Sequence, residues 1–220
     1  MNSLPNYKYI CDTNIWVKVN LCDKLAVFLS KFKELAFAEV VENEISKWRA
    51  NNIKYIKIYE TFINHKNQST IQVIVHSELP LCIQNIVFND LQTYFGITDM
   101  DNSERSVSNL GECISVLYAY HLEIHYFQSD DIAFFEENNV PERFRDLKLV
   151  TWNDIARCIT NDERERIRLN TLIEVEEEKM KRDRQECHEK KKLEEKLFQL
   201  KERYSNRNNK YIITVFVFLS

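Results

Sequence analysis

Tyr7-Lys8-Tyr9-Ile10-Cys11-Asp12-Thr13-Asn14-Ile15-Trp16 is an apolar, aromatic-rich run that stops at one carboxylate and then changes period. Its first half predicts a buried strand that delivers Asp12 to its C-terminal end. Thr13 and Asn14 suit the turn from strand to helix, because their side chains hydrogen-bond nearby backbone amides. Ile15, Trp16, Val19, Leu25 and Phe28 then follow at roughly helical spacing. In an open parallel sheet, ligands bind beyond the carboxyl ends of the strands. Asp12 is therefore a candidate functional carboxylate as well as a candidate helix cap.

Outward from this stretch the pattern repeats. Leu35 to Val41 predicts a second strand, and the change of pattern at Glu42-Asn43-Glu44-Ile45 puts Glu44 in the first turn of a helix, where the dipole favours an acid. Ile53 to Phe62 predicts a helix, Ile71 to His76 a short strand, and 79–97 a further helix. Thr98 to Ser106 is polar and without periodicity, as in a loop. Asn109-Leu110-Gly111-Glu112 opens a helix with Ile114, Val116, Leu117, Ala119 and Tyr120. Such an apolar helix packs centrally against a sheet and holds Glu112 at the mouth of the core. Ile124 to Gln128 is another aromatic strand stopping at Ser129-Asp130-Asp131, and Leu147 to Thr151 is a last strand before a closing helix at Asn153-Asp154-Ile155.

Composition bounds the class. The chain has 220 residues, 44% hydrophobic, with only 2 Gly and 3 Pro. That argues against a turn-rich sandwich or flexible linkers and for a globular domain with helix and strand. The net charge of -4 is uneven, with 15 basic against 21 acidic residues over 1–160 and 15 against 13 over 161–220. An acidic body is a poor nonspecific binder of nucleic acid, but it suits carboxylates gathered around divalent cations. Six scattered cysteines without a C-x-x-C pair, and no basic-then-apolar leader, predict reduced thiols in the cytoplasm.

From Asn161 to about Asn206 the chain is highly charged and free of Gly and Pro, which predicts a long solvated helix. Leu193, Leu197, Leu200 and Tyr204 are spaced as on a coiled-coil seam, which decays upstream into Asp183 and Lys190. Tyr211 to Leu219 reads as a strand-like apolar segment, too short for a membrane helix, which needs roughly 20 residues. The organisation expected is a domain over 1–158 and a charged helical extension over 159–220.

Alternating strands and helices up to residue 158 predict a parallel sheet with helices on both faces. Asp12 and Asp130 would end neighbouring strands, with Glu44 and Glu112 at helix starts on the same edge. Four such carboxylates would repel one another unless protonated or neutralised by a cation, and hard oxygen ligands favour Mg2+ or Mn2+. Asp12-Thr13-Asn14, Glu44, Leu110-Gly111-Glu112 and Ser129-Asp130-Asp131, in this order over residues 5–158, resemble the PIN-domain nucleases.

That resemblance implies a three-layer α/β/α PIN-like domain with a central parallel sheet, here followed by the long C-terminal helical extension. It implies a metal-dependent endonuclease that hydrolyses RNA phosphodiesters, with DNA the alternative substrate. Many members are bacterial toxin ribonucleases, which brings an antitoxin-like inhibitory protein into the expected partners, beside a homodimer. Carried over by residue, Asp12, Glu44, Glu112 and Asp130 match the catalytic acids. The metal ligands would be Asp12, Glu112 and Asp130 or Asp131, the register there being ambiguous by one residue. Thr13, Asn14 and Ser129 would support the site. The segment 64–104 and the tail after 160 depart from the compact family pattern.

Two other chemistries compete. His121 and His125, four apart, could share a helix face and hold zinc, but without an H-E-x-x-H pattern they read as a pair at a helix end. Cys187 and His188 adjoin in the charged tail, where neither is held in a dry pocket. The rival of another kind is a noncatalytic PIN-like scaffold that binds a protein through its C-terminal helix. Lys179 to Arg182 and Lys190 to Lys192 could meet phosphates, although their interleaving with Glu is that of a solvated helix face.

Overall fold

The computed structural model describes residues 7–48, 55–98, 109–136 and 140–217. The elements begin with β1 (Tyr9–Cys11), α1 (Thr13–Leu21), α2 (Leu25–Lys31), β2 (Leu35–Ala38), α3 (Glu39–Ser46), α4 (Ile56–Asn67) and β3 (Ile71–Ile74). They continue with α5 (Leu81–Phe95), α6 (Leu110–His121), β4 (Tyr126–Gln128), α7 (Ile132–Glu136), β5 (Lys148–Val150), α8 (Trp152–Ile159) and α9 (Glu163–Val217). Most of the expected loop 98–106 lies outside the described residues, as do Ile53 and the final Phe218 and Leu219.

Among the described residues five strands form one sheet in the order β3-β2-β1-β4-β5, every pair parallel. This is an α/β architecture, compatible with three α/β/α layers. The chain builds from β1 outward to β3, then crosses back to place β4 on the other side of β1. The reversal makes the gap between β1 and β4 the switch point, where open parallel sheets form a crevice beyond the strand ends. Ile10 pairs with Phe127 and Cys11 with Gln128, and the Asp12 amide continues the ladder to the Gln128 carbonyl at 2.9 Å. Asp12 and Ser129 thus emerge side by side at that crevice.

The core is aromatic. Trp16 of α1, Phe37 of β2 and Phe62 of α4 meet edge-on, with ring centroids 5.0–5.5 Å apart. The Trp16 indole N–H donates to the Ile58 carbonyl at 3.0 Å, so this large buried ring leaves no orphan donor. Residues 113–119 of α6 are buried throughout, as its apolar sequence anticipates. Asp12 caps α1 with its own carboxylate, and Thr151 with Asp154 forms a reciprocal capping box on α8.

Three expectations are corrected. The second strand stops at Ala38, and Val40 and Val41, which read as strand by their β-branching, belong to α3. That helix starts with Glu39 and Glu42, whose charges suit its N-terminal dipole, so Glu44 lies in its second turn. The tail is not strand-like at 211–217: α9 continues through Val217. No Gly or Pro interrupts its hydrogen bonding, and β-branched residues lower helix propensity only slightly.

The chain divides into two compact units, Met1–Ile173 and Glu174–Ser220. The first unit keeps the opening turns of α9. Leu169 and Ile173 are buried, Lys24 pairs with Glu165 at 2.5 Å, and the Trp152 indole donates to Asn170 at 2.9 Å. The second unit is helix with ion pairs such as Lys179 to Glu176, and Leu193, Leu197 and Leu200 are about half exposed or more. Among the described residues no helix is long and apolar enough to cross a membrane.

Candidate functional site

Asp12 is only 3% exposed, at the end of the central strand. One carboxylate oxygen accepts from the Thr13 amide at 2.7 Å and the other from the Ser129 hydroxyl at 3.3 Å. Burial, and then the charges of Glu112 and Glu44, hold its pKa well above the usual carboxylate range, against the pull of those two donors. Glu112 is raised for the same reasons: burial first, then Glu44 and Asp131. The charges of Glu112 and Glu44 thus act on Asp12, and those of Glu44 and Asp131 on Glu112.

Each acid is supplied by its own element. Glu44 reaches from α3 to α1, where its Oε2 accepts from the Thr13 hydroxyl at 2.5 Å. Glu112 stands in the first turn of α6, next to Gly111, which abuts the Glu44 side chain. Asp131 follows β4, its amide donating to the Ser129 hydroxyl at 3.2 Å and its Oδ1 accepting from the Phe134 amide at 3.0 Å. The last bond starts α7, so Asp131 is both a helix cap and a member of the acidic group.

Asp130 is engaged elsewhere. It forms an ion pair with Lys18 and accepts from the Trp152 amide at 3.3 Å, while its own amide donates to the Asn14 side chain at 3.3 Å. Of the two acids after Ser129, Asp131 is the one whose charge acts on Glu112. Asn14 thus bonds the backbone at the exit of β4. Lys18 was not anticipated, though it follows Asn14 by one helical turn and so shares its face.

Among the described residues, no three His, Cys, Asp or Glu side chains lie close enough to form a ready-made metal cage. Uncompensated carboxylates repel, and here each of Asp12, Glu44 and Asp131 is drawn onto a local donor instead. The chemistry of the donor set still fits a hard cation. It is all oxygen, and the nearest thiols are unsuited as soft ligands: burial pushes Cys113 up to about 12 and raises Cys11 as well, so both stay protonated.

The two imidazoles do not share a helix face. α6 ends at His121, which bonds Asp90 at 2.9 Å, whereas His125 lies beyond the helix and bonds the Glu123 carbonyl at 2.8 Å. Cys187 is exposed on α9. No protein-family model matches this chain, and no curated protein matches it.

Proposed function

We propose that this chain is a PIN-like, metal-dependent endonuclease hydrolysing phosphodiester bonds in RNA. The observation that carries the proposal is a nearly inaccessible Asp12 at the switch point of a parallel sheet, linked through Thr13 to Glu44 and through the Ser129 hydroxyl to the amide of Asp131. A cation is the economical way to hold such charges together at neutral pH. Asp12, Glu112 and Asp131 would ligate Mg2+ or Mn2+, with Glu44 beside them and Asp130 as the alternative to Asp131. When bound, such an ion polarises the scissile phosphate and lowers the pKa of a water.

The chain's own residues supply order. Thr13 and Ser129 fix the two oxygens of Asp12, and Thr13 also anchors Glu44, so one hydroxyl-bearing turn orients two acids. Asp12 itself is too deeply buried to touch a substrate and would act from beneath the ion. Lys18, paired with Asp130, brings a positive charge to the exit of β4, which would favour an anionic substrate there. The family resemblance extends the proposal to a cytoplasmic toxin restrained by an antitoxin-like protein.

The test is incubation of labelled RNA with the protein and Mn2+, with and without a chelator. Cleavage that the chelator stops, and that Asp12→Asn lacks while remaining folded, is the expected result; metal-independent cleavage or none defeats the proposal. A second reading, a noncatalytic scaffold, draws on the exposed Leu193, Leu197 and Leu200 of α9. Binding of a protein partner without RNA cleavage would favour it.

A further inference from the structure

Gly111 is one of only two glycines in the chain. The other, Gly96, closes α5 in the left-handed region at φ 67°, with nothing within 4 Å of where a Cβ would stand. Backbone freedom accounts for Gly96. It does not account for Gly111, which sits in α6 without a positive φ, where alanine is the better helix former. What distinguishes Gly111 is space. A Cβ there would stand 3.0 Å from Glu44 Oε1 and 3.5 Å from both Glu44 Cδ and Val41 Cγ2.

The other oxygen of the same carboxylate is already taken by the Thr13 hydroxyl at 2.5 Å. Glu44 is therefore held by α1 through a hydrogen bond at one oxygen, while its other oxygen fills the space that a Cβ on Gly111 would need. A methyl group on Gly111 would push Oε1 outward by a few tenths of an ångström and draw Oε2 off its donor. We propose that Gly111 is a positioning residue: its missing side chain is the slot that holds the Glu44 carboxylate beside Thr13 and Glu112. The packing part of this inference stands alone; its bearing on metal binding rests on the nuclease reading.

Two measurements on the full chain test it. In denaturant unfolding without divalent cations, Gly111→Ala is expected to raise the midpoint in a Glu44→Ala background, where the slot is empty and helix propensity acts alone. In the otherwise native chain the same change should give no rise, and an equal rise in both backgrounds overturns the inference. Failure of Gly111→Ala to fold, with recovery when Glu44→Ala is added, supports it as well.

In Mn2+ titration, Gly111→Ala should weaken affinity by about tenfold, the scale of losing a ligand's support. Adding Glu44→Asp, one methylene shorter, should restore much of that loss. Loss of Mn2+ binding in Asp12→Asn but none in Gly111→Ala defeats this inference alone. No loss in either variant defeats the nuclease reading, while the unfolding comparison still decides the packing.

Discussion

Lys18 ion-pairs with Asp130, whereas the adjacent Asp131 lies near enough to Glu112 to raise its pKa. Two neighbouring acids thus do different work. Asp130→Asn removes the charge facing a largely buried ammonium and is expected to cost about 1–3 kcal/mol of stability. Asp131→Asn keeps a good cap for α7, since asparagine caps as well as aspartate, and should change stability less while removing Mn2+-dependent cleavage. Urea unfolding and an RNA cleavage assay on both variants check the assignment. The reverse pattern would make Asp130 the ligand.

Asp12 gives the folded protein a pH dependence whose sign can be worked out. Its pKa is raised on folding, so between the ordinary carboxylate range and the raised value the native state holds a proton that the unfolded chain has lost. Stability without metal therefore falls as pH rises through that window. Asp12→Asn never ionises. Its thermal midpoint in chelator should match the parent near pH 4 and exceed it at pH 7, and added Mn2+ should close the gap by stabilising only the parent.

Trp16 ties three elements of the core together through Phe37, Phe62 and the Ile58 carbonyl. Trp16→Ala is expected to cost about 3–5 kcal/mol. Trp16→Phe keeps most of the packing and gives up the indole hydrogen bond, which should cost about 1–2 kcal/mol. Equal losses in chemical denaturation would mean that the hydrogen bond, not the ring, carries the stability.

The basic stretch Lys190 to Lys192 offers a separate test on the intact chain. If these three side chains meet phosphates of single-stranded RNA, changing all three to Gln should flatten the plot of log affinity against log salt by about 2. Fluorescence anisotropy with a labelled oligonucleotide reads this directly. An unchanged slope returns the stretch to an ordinary solvated helix face.

The parallel sheet was legible because each strand is a short apolar run ended by a polar turn, and Asp12 was legible because it ends the first of them. Asp12 and Glu44 are joined through Thr13, which adjoins the first in sequence and is distant from the second. The start of α3 was not legible: Val40-Val41 carries the β-branched signature of strand, and the tertiary packing of Val41 overrides it. The same holds for 211–217, where local propensity yields to uninterrupted helical bonding. Lys18 and the split between Asp130 and Asp131 depend on which way side chains leave a turn, and spacing alone does not encode that. Gly111 could have been found from the scarcity of glycine, since a helix-breaking residue inside so apolar a helix calls for a reason.

The position of β1 between β2 and β4 has a consequence for biosynthesis. β1 is made before the other strands of its sheet, yet it acquires its second neighbour only after more than 110 further residues, because β4 begins at Tyr126. Until then Asp12 has neither the Ser129 hydroxyl nor the company of Asp131. A nascent chain is thus chemically incomplete, and the order of strands alone delays whatever activity the acids possess until the whole body has been made.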